Sequence, residues 1–140
     1  MLRDDDDLDG SEPTFDDEPG WLATLQEALE MVKADLRASG LPDAVRLYTC
    51  DGSRNVSVDA WAGNSASEGI SPEQGSDPVT ALAAVADDAQ EAVQISICGA
   101  WPICPVHELG VHARAHQGAA VWWCRADGGH AMARIGRLSP

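Results

Sequence analysis

Two stretches of the chain repeat apolar residues at helical spacing. Leu22, Leu25, Leu29, Val32 and Leu36 step by threes and fours, which lines one face of a helix predicted over 21–39. Pro19 suits its first turn, and Gly40 followed by Pro42 supplies the stop. The same spacing could zip a coiled coil, but only two to three heptads are present, so the face is expected to pack on the domain's own sheet. A second helix is predicted from Pro78 to about Ile97, with Asp77 as N-cap, Pro78 at the first helical position and Gly99 as the stop. Val79, Leu82, Val85, Ala86, Ala89, Val93 and Ile97 form its expected buried stripe; Asp87, Asp88 and Glu91 are expected to face water.

Between and after the helices the period changes to two. Residues 45–50 and 54–61 alternate, with Val56, Val58 and Ala60 on one face, and Asp51-Gly52-Ser53 is apt turn chemistry between them. Residues 62–76 are rich in Gly, Ser, Asn and Pro and read as a mobile loop. Residues 111–116 and 119–123 read as short strands joined by a Gln117-Gly118 turn, which pairs His116 with Ala119, His112 with Trp123 and Val111 with Cys124. The expected fold class is therefore α+β: two helices packed on a small antiparallel sheet, followed by a C-terminal β-hairpin module. The expected division is an acidic tail over 1–18, a core over 19–100 and the β module over 101–138.

Charge changes this picture at both ends. The formal charge is −14, and residues 1–20 hold nine acids against Arg3 alone, which predicts a disordered tail. Asp5, Asp7, Asp9, Gly10 and Asp16 imitate a calcium loop, but no helix can precede it and Pro13 interrupts it, so no calcium site is expected. Residues 101–140 reverse sign, with Arg114, Arg125, Arg134 and Arg137 against Glu108 and Asp127. The overall field opposes nucleic acid and anionic membranes and favours a basic partner. No secretory signal or run of 18 apolar residues is present, which points to the cytoplasm, where Cys50, Cys98, Cys104 and Cys124 are not expected to form structural disulfides. The Asn55-Val56-Ser57 sequon falls within a predicted strand and is read as chance.

The candidate chemistry lies in two pairs, Cys104-x2-His107 and Cys124-x5-His130, separated by sixteen residues. Structural zinc takes four tetrahedral thiolate and imidazole ligands, and short paired spacings let tight turns aim two side chains at one point. The hairpin register returns Cys124 beside the first pair, and Gly128-Gly129 permits the second turn. His112 and His116 are rivals for the fourth position, although the register turns His112 to the opposite face from Cys124. Cys98 and Cys50 read as small buried residues rather than ligands. Glu108 is the one carboxylate placed to act as a hydrolytic base. The deaminase pattern fails, because His107 and Glu108 are adjacent and Cys124 has no second cysteine after it. No phosphate loop or nucleophile elbow is present either.

The run Trp101-Pro-x-Cys-Pro-x-His107, continued by Val121-Trp-Trp-Cys124 and Gly-Gly-His130 and closed by Ile135-Gly136-x-Leu138, resembles the end of many small uncharacterised proteins from high-GC bacteria. More broadly it is similar to zinc-ribbon or zinc-knuckle modules. The resemblance implies zinc ligation by Cys104, His107, Cys124 and His130 and carries no activity. The expected function is a non-enzymatic protein–protein interaction module, with Trp101 as an anchor and Asp87, Asp88 and Glu91 as an acidic face for a basic partner. Two alternatives are an inhibitor or immunity-type protein that neutralises a basic toxin or nuclease, and a zinc hydrolase using Glu108.

Overall fold

The computed structural model describes residues 20–49, 55–61 and 69–140. Helix α1 (Gly20–Ala38) buries Leu25, Ala28, Leu29, Val32 and Leu36, the expected stripe widened by an alanine, while Leu22 packs half-buried against the same core. It ends where Gly40 takes a left-handed φ of 76°. The Gly40 N–H then reaches the Arg37 carbonyl and the Leu41 N–H the Leu36 carbonyl, which pairs two carbonyls that the helix end leaves open. Pro19 and the predicted turn at 51–53 lie outside the described residues, as do the acidic tail, Cys50 and residues 62–68.

Strands β1 (Arg46–Thr49) and β2 (Val56–Asp59) pair antiparallel, Arg46 with Asp59 through Thr49 with Val56. Val56 and Val58 point into the core at 1% and 0% exposure, as their alternation requires. Residues 69–76, expected as loop, are ordered. Ile70 bridges Val56 by two backbone hydrogen bonds and is buried, and Pro72–Ser76 winds one 3-10 helix. Composition misled here because Ser71 and Gln74 cap that turn, the Gln74 side chain accepting from the Ser71 N–H at 2.9 Å. Gly75 lets α1 approach; a Cβ there would stand 2.6 Å from the Trp21 carbonyl oxygen.

Helix α2 (Pro78–Ile97) starts as predicted, Asp77 accepting from the Thr80 N–H at 2.9 Å with Pro78 behind it. Its stop differs from expectation. Cys98, exposed rather than buried, takes the left-handed position with φ 55°, and Gly99 follows in an ordinary conformation. Its inner face also differs. Ala81, Val85, Asp88 and Ala92 share the buried side with Ala89 and Val93, so Asp88 does not face water. Its carboxylate accepts from the Val58 N–H at 3.2 Å and so ties α2 to β2. Burial pushes this carboxyl up to about 6, the Val58 N–H opposing and Glu91 and Asp87 reinforcing the shift.

The second sheet has order β3-β4-β5, from His112–His116, Ala119–Cys124 and His130–Arg134. The β3–β4 register is the predicted one, His116 with Ala119 and His112 with Trp123. The third strand was not foreseen; it extends the hairpin by pairing Cys124 with His130 and Val121 with Arg134, across an irregularity at Trp122 and Trp123. The architecture is α+β, with two helices and two small antiparallel sheets. Helix α2 packs against α1, β2, β3 and β4. One buried cluster joins Leu25, Val32 and Val85 to Trp101, Cys104 and Trp122, so the C-terminal strands share their core with the helices.

Three polar side chains fasten that core. Asp35, at 0% exposure on α1, accepts from the Trp122 indole at 2.8 Å, the Gly136 N–H at 2.7 Å and the Leu138 N–H at 3.0 Å. Gln90 on α2 donates to the carbonyls of Trp101 and Val111. The Gln94 carboxamide oxygen accepts from the Trp101 N–H. Trp101 is therefore an internal residue, correcting its expected role as an exposed anchor. It is 5% exposed, meets Trp122 edge-on at 5.4 Å between ring centres, and donates its indole N–H to Ser39.

Candidate metal centre

The first ligand pair sits on a tight turn. After Cys104, Pro105 and Val106 round the corner, the Glu108 N–H returns to the Cys104 carbonyl, and the Cys104 N–H reaches the Leu109 carbonyl. Ile103 and Gly110 bridge at the base of the turn, and Glu108 takes a left-handed φ of 57° to close it. The second pair is set by the sheet: Cys124 ends β4 and its cross-strand partner His130 opens β5. The connection between them turns through left-handed residues at Asp127, Gly128 and Gly129. Gly129 is required twice over, by its φ of 97° and because a Cβ would stand 2.6 Å from the Trp123 ring.

These elements bring Cys104, His107, Cys124 and His130 together, each offering one donor atom, all within 4.8 Å of one another. The thiol of Cys104 lies 3.5 Å from His107 Nδ1 and 3.7 Å from His130 Nε2, and that of Cys124 lies 3.5 Å from His107 Nδ1. Both sulfurs are fully buried, while the two imidazoles are half-buried at the rim. Such a set could hold a metal ion. Burial alone would raise the Cys104 thiol, but the His107 N–H, its imidazole and the Val106 N–H outweigh it and bring the thiol down to about 6. His107 is raised in turn, by Cys104 first and then by Asp127. The site thus favours the thiolate that metal ligation needs.

Asp127 is a residue beside the cluster that the sequence alone does not single out. Its carboxylate accepts from His107 Nε2 at 2.7 Å, which fixes the ring so that Nδ1 points at the cluster. The available signal was the Asp-Gly-Gly turn before His130, where an Asp tolerates the left-handed conformation.

The rival ligands are elsewhere. His112 pairs with Trp123 on the other face of β3, lowered by burial and by Arg125 and Arg114, and His116 stacks against Trp123 at 4.7 Å between ring centres. Arg114 covers the same indole at 4.4 Å. Glu108 is exposed and is not among the clustered donors. Of the expected acidic face, Asp87 is exposed, Glu91 is half-buried and Asp88 is turned inward.

No family model matches the chain, and no curated protein or solved structure is significantly similar to it. No helix among the described residues is long and apolar enough to cross a membrane.

Proposed function

We propose that the ion is zinc, that its role is structural, and that the chain is a small acidic protein–protein interaction module rather than an enzyme. The observation that carries this reading is the closed set of two thiols and two imidazoles. Bonds of about 2.3 Å to sulfur and about 2.0 Å to nitrogen at the tetrahedral angle give sulfur–nitrogen separations of about 3.5 Å. Three of the four sulfur–nitrogen pairs stand at 3.5, 3.7 and 3.5 Å, and the fourth lies within the 4.8 Å that spans the whole set. Four protein donors fill a tetrahedron and leave no position for the water or substrate that a hydrolytic zinc activates. Glu108, the base that a hydrolase would need, spends its unusual backbone conformation on closing the ligand turn.

The interaction half of the reading is supported by the surface that the turn displays. Val106 is 77% exposed, with Ile103 and Leu109 each at 51%, an apolar set held around the ligand turn. The partner we propose is a protein with a basic patch, drawn by the −14 charge and by Asp87 and Glu91 on α2.

Elemental analysis of the purified chain tests the metal: one zinc per chain is expected, lost in Cys104→Ser and in Cys124→Ser. Stoichiometric zinc retained in both would overturn the assignment. Val106→Asp tests the surface. It should abolish partner binding with zinc retained, and that binding should weaken steeply between about 0.05 and about 0.5 M salt.

A further inference from the structure

A groove of about 280 Å³ lies where α1 meets the start of α2, the start of β4 and the end of β5, and its lining shares no residue with the metal cluster. Met31, Leu82, Ala119 and Ile135 supply apolar walls, and Arg134 and Arg137 stand on the sheet side. The backbone presents these two arginines as a pair. The Arg137 N–H donates to the Arg134 carbonyl at 3.0 Å, closing a turn in which Gly136 takes a φ of 95°. A type II turn requires that positive φ at its third position and keeps its first and last Cα atoms within about 7 Å. Buried Asp35 holds the turn by accepting from the Gly136 and Leu138 N–H groups, and the Ile135 N–H ties it to the Ala120 carbonyl. Two exposed guanidinium groups are thus rooted side by side on a fixed support. Lys33, Arg37 and Arg46 each meet a carboxylate, but neither Arg134 nor Arg137 forms an ion pair among the described residues. In a chain with 23 Asp and Glu against 9 Lys and Arg, such a pair beside an apolar groove calls for an anion of another kind.

We infer that this groove binds a small monocarboxylate with an apolar body of about eight carbons, its tail along Met31, Leu82 and Ile135 and its head on Arg134 and Arg137. The volume sets the tail. An apolar cavity of about 150 Å³ holds benzene, so about 280 Å³ takes a somewhat longer body, at the lower limit of the about 300–1,000 Å³ typical of ligand cavities. The arginines set the head, because a guanidinium fork matches a carboxylate with two parallel N–H···O bonds. Net charge decides between a small acid and an acidic protein. The chain's −14 repels an approaching anion in proportion to its charge, so a single carboxylate is opposed least. Glu27, the acid in the lining, stands on α1 and directs the head across the groove to the sheet side. A tail in place would cover Met31, whose side chain is otherwise 49% exposed. The inference does not depend on the identity of the metal.

Octanoate is the probe, titrated into the full-length, as-isolated protein carrying ¹³C-methyl methionine. Met31 lines the groove; Met132 lies in β5, is not part of the groove lining, and serves as the folding control. Octanoate should move the Met31 resonance to saturation with a dissociation constant of about 0.1–1 mM, as befits a ligand of its size, and leave Met132 in place. Hexanoate, two methylenes shorter, should bind about 4- to 15-fold more weakly. Octylammonium, which reverses the head charge, should bind at least about 10-fold more weakly than octanoate. Arg134→Gln with Arg137→Gln should weaken octanoate by a similar factor, with Met132 at its folded position. A Met31 resonance unmoved at about ten times the expected dissociation constant would overturn the inference. So would equal affinity for octanoate and octylammonium, or an octanoate affinity unchanged in the double variant. A Met31 shift that follows protein concentration without octanoate would also overturn it, because a second copy of the chain would then be the occupant.

Discussion

Replacing Asp35 with alanine removes a group that joins α1 to both β4 and the residues after β5. Its carboxylate serves three donors at 2.7, 2.8 and 3.0 Å, and the residue is wholly buried. Hydrogen bonds to charged groups contribute about 1.5–3 kcal/mol each. Their full sum overstates the loss, because Gly136 is only half-buried and Leu138 likewise, and water can replace the acceptor at their N–H groups. The Trp122 indole, at 0% exposure, has no such recourse and keeps the desolvation penalty of about 1–3 kcal/mol. Alanine returns about 0.5 kcal/mol in helix propensity. The net expected loss is about 3–5 kcal/mol, a large part of the roughly 5–15 kcal/mol available to a domain. Urea denaturation of the metal-loaded protein measures it as a lower midpoint at unchanged m-value. Trp122→Phe on the Asp35→Ala background removes the stranded donor, so the double variant should lose less than the sum of the two single losses. A single-variant loss below about 1 kcal/mol, or strict additivity in the cycle, would refute the account of Asp35 as a shared acceptor.

Other outcomes follow from the same geometry. Asp127→Ala should weaken metal binding about 10- to 100-fold in competition with a chromophoric chelator, with the stoichiometry unchanged, because the His107 ring loses its orienting acceptor. Gly129→Ala should prevent stoichiometric metal uptake, since its Cβ would enter the Trp123 ring and its φ is left-handed. The raised carboxyl of Asp88, at about 6 folded against 3.8 ordinarily, makes the native state bind more protons than the unfolded one between those values. Its contribution to stability therefore falls as pH rises from about 4 to about 6. Asp88→Asn, which keeps an acceptor for Val58, should gain on the order of 1 kcal/mol relative to wild type at pH 7 after allowance for solvent screening, and nothing at pH 4. Equal urea midpoint differences at the two pH values would contradict it. Gln90→Leu strands the Trp101 and Val111 carbonyls and should lower stability by about 1–3 kcal/mol, read as a shift in thermal midpoint.

What was legible in the sequence was whatever rests on local periodicity. The helix stripe of α1, the Asp77 cap and the β3–β4 register all follow from spacing and turn chemistry within a few residues, and the register brings Cys124 back to the first ligand pair. The hidden features depend on partners far along the chain. Asp35 looks like one more charge on a polar helix until Trp122, Gly136 and Leu138 surround it. Trp101 reads as an exposed anchor until Ser39 accepts its indole. Asp88 is instructive in another way, because its spacing from Ala81, Val85 and Ala92 places it on the buried face. There the helical period, not the charge of the side chain, decides which face the residue takes. Strand β5 has a weak sequence signal because His130 carries two roles at once: its pairing with Cys124 both builds the sheet and sets the donor in place.

The acceptor on α1 meets its three donors across 87, 101 and 103 residues of chain. During synthesis, α1 emerges from the ribosome long before Leu138 is made, and its fastening must wait until the residues that follow β5 have emerged as well. At about 5–20 residues per second, that interval is about 5–20 s. Cotranslational folding therefore proceeds with an amphipathic helix whose apolar stripe still lacks its final cover, an interval in which a chaperone could bind it.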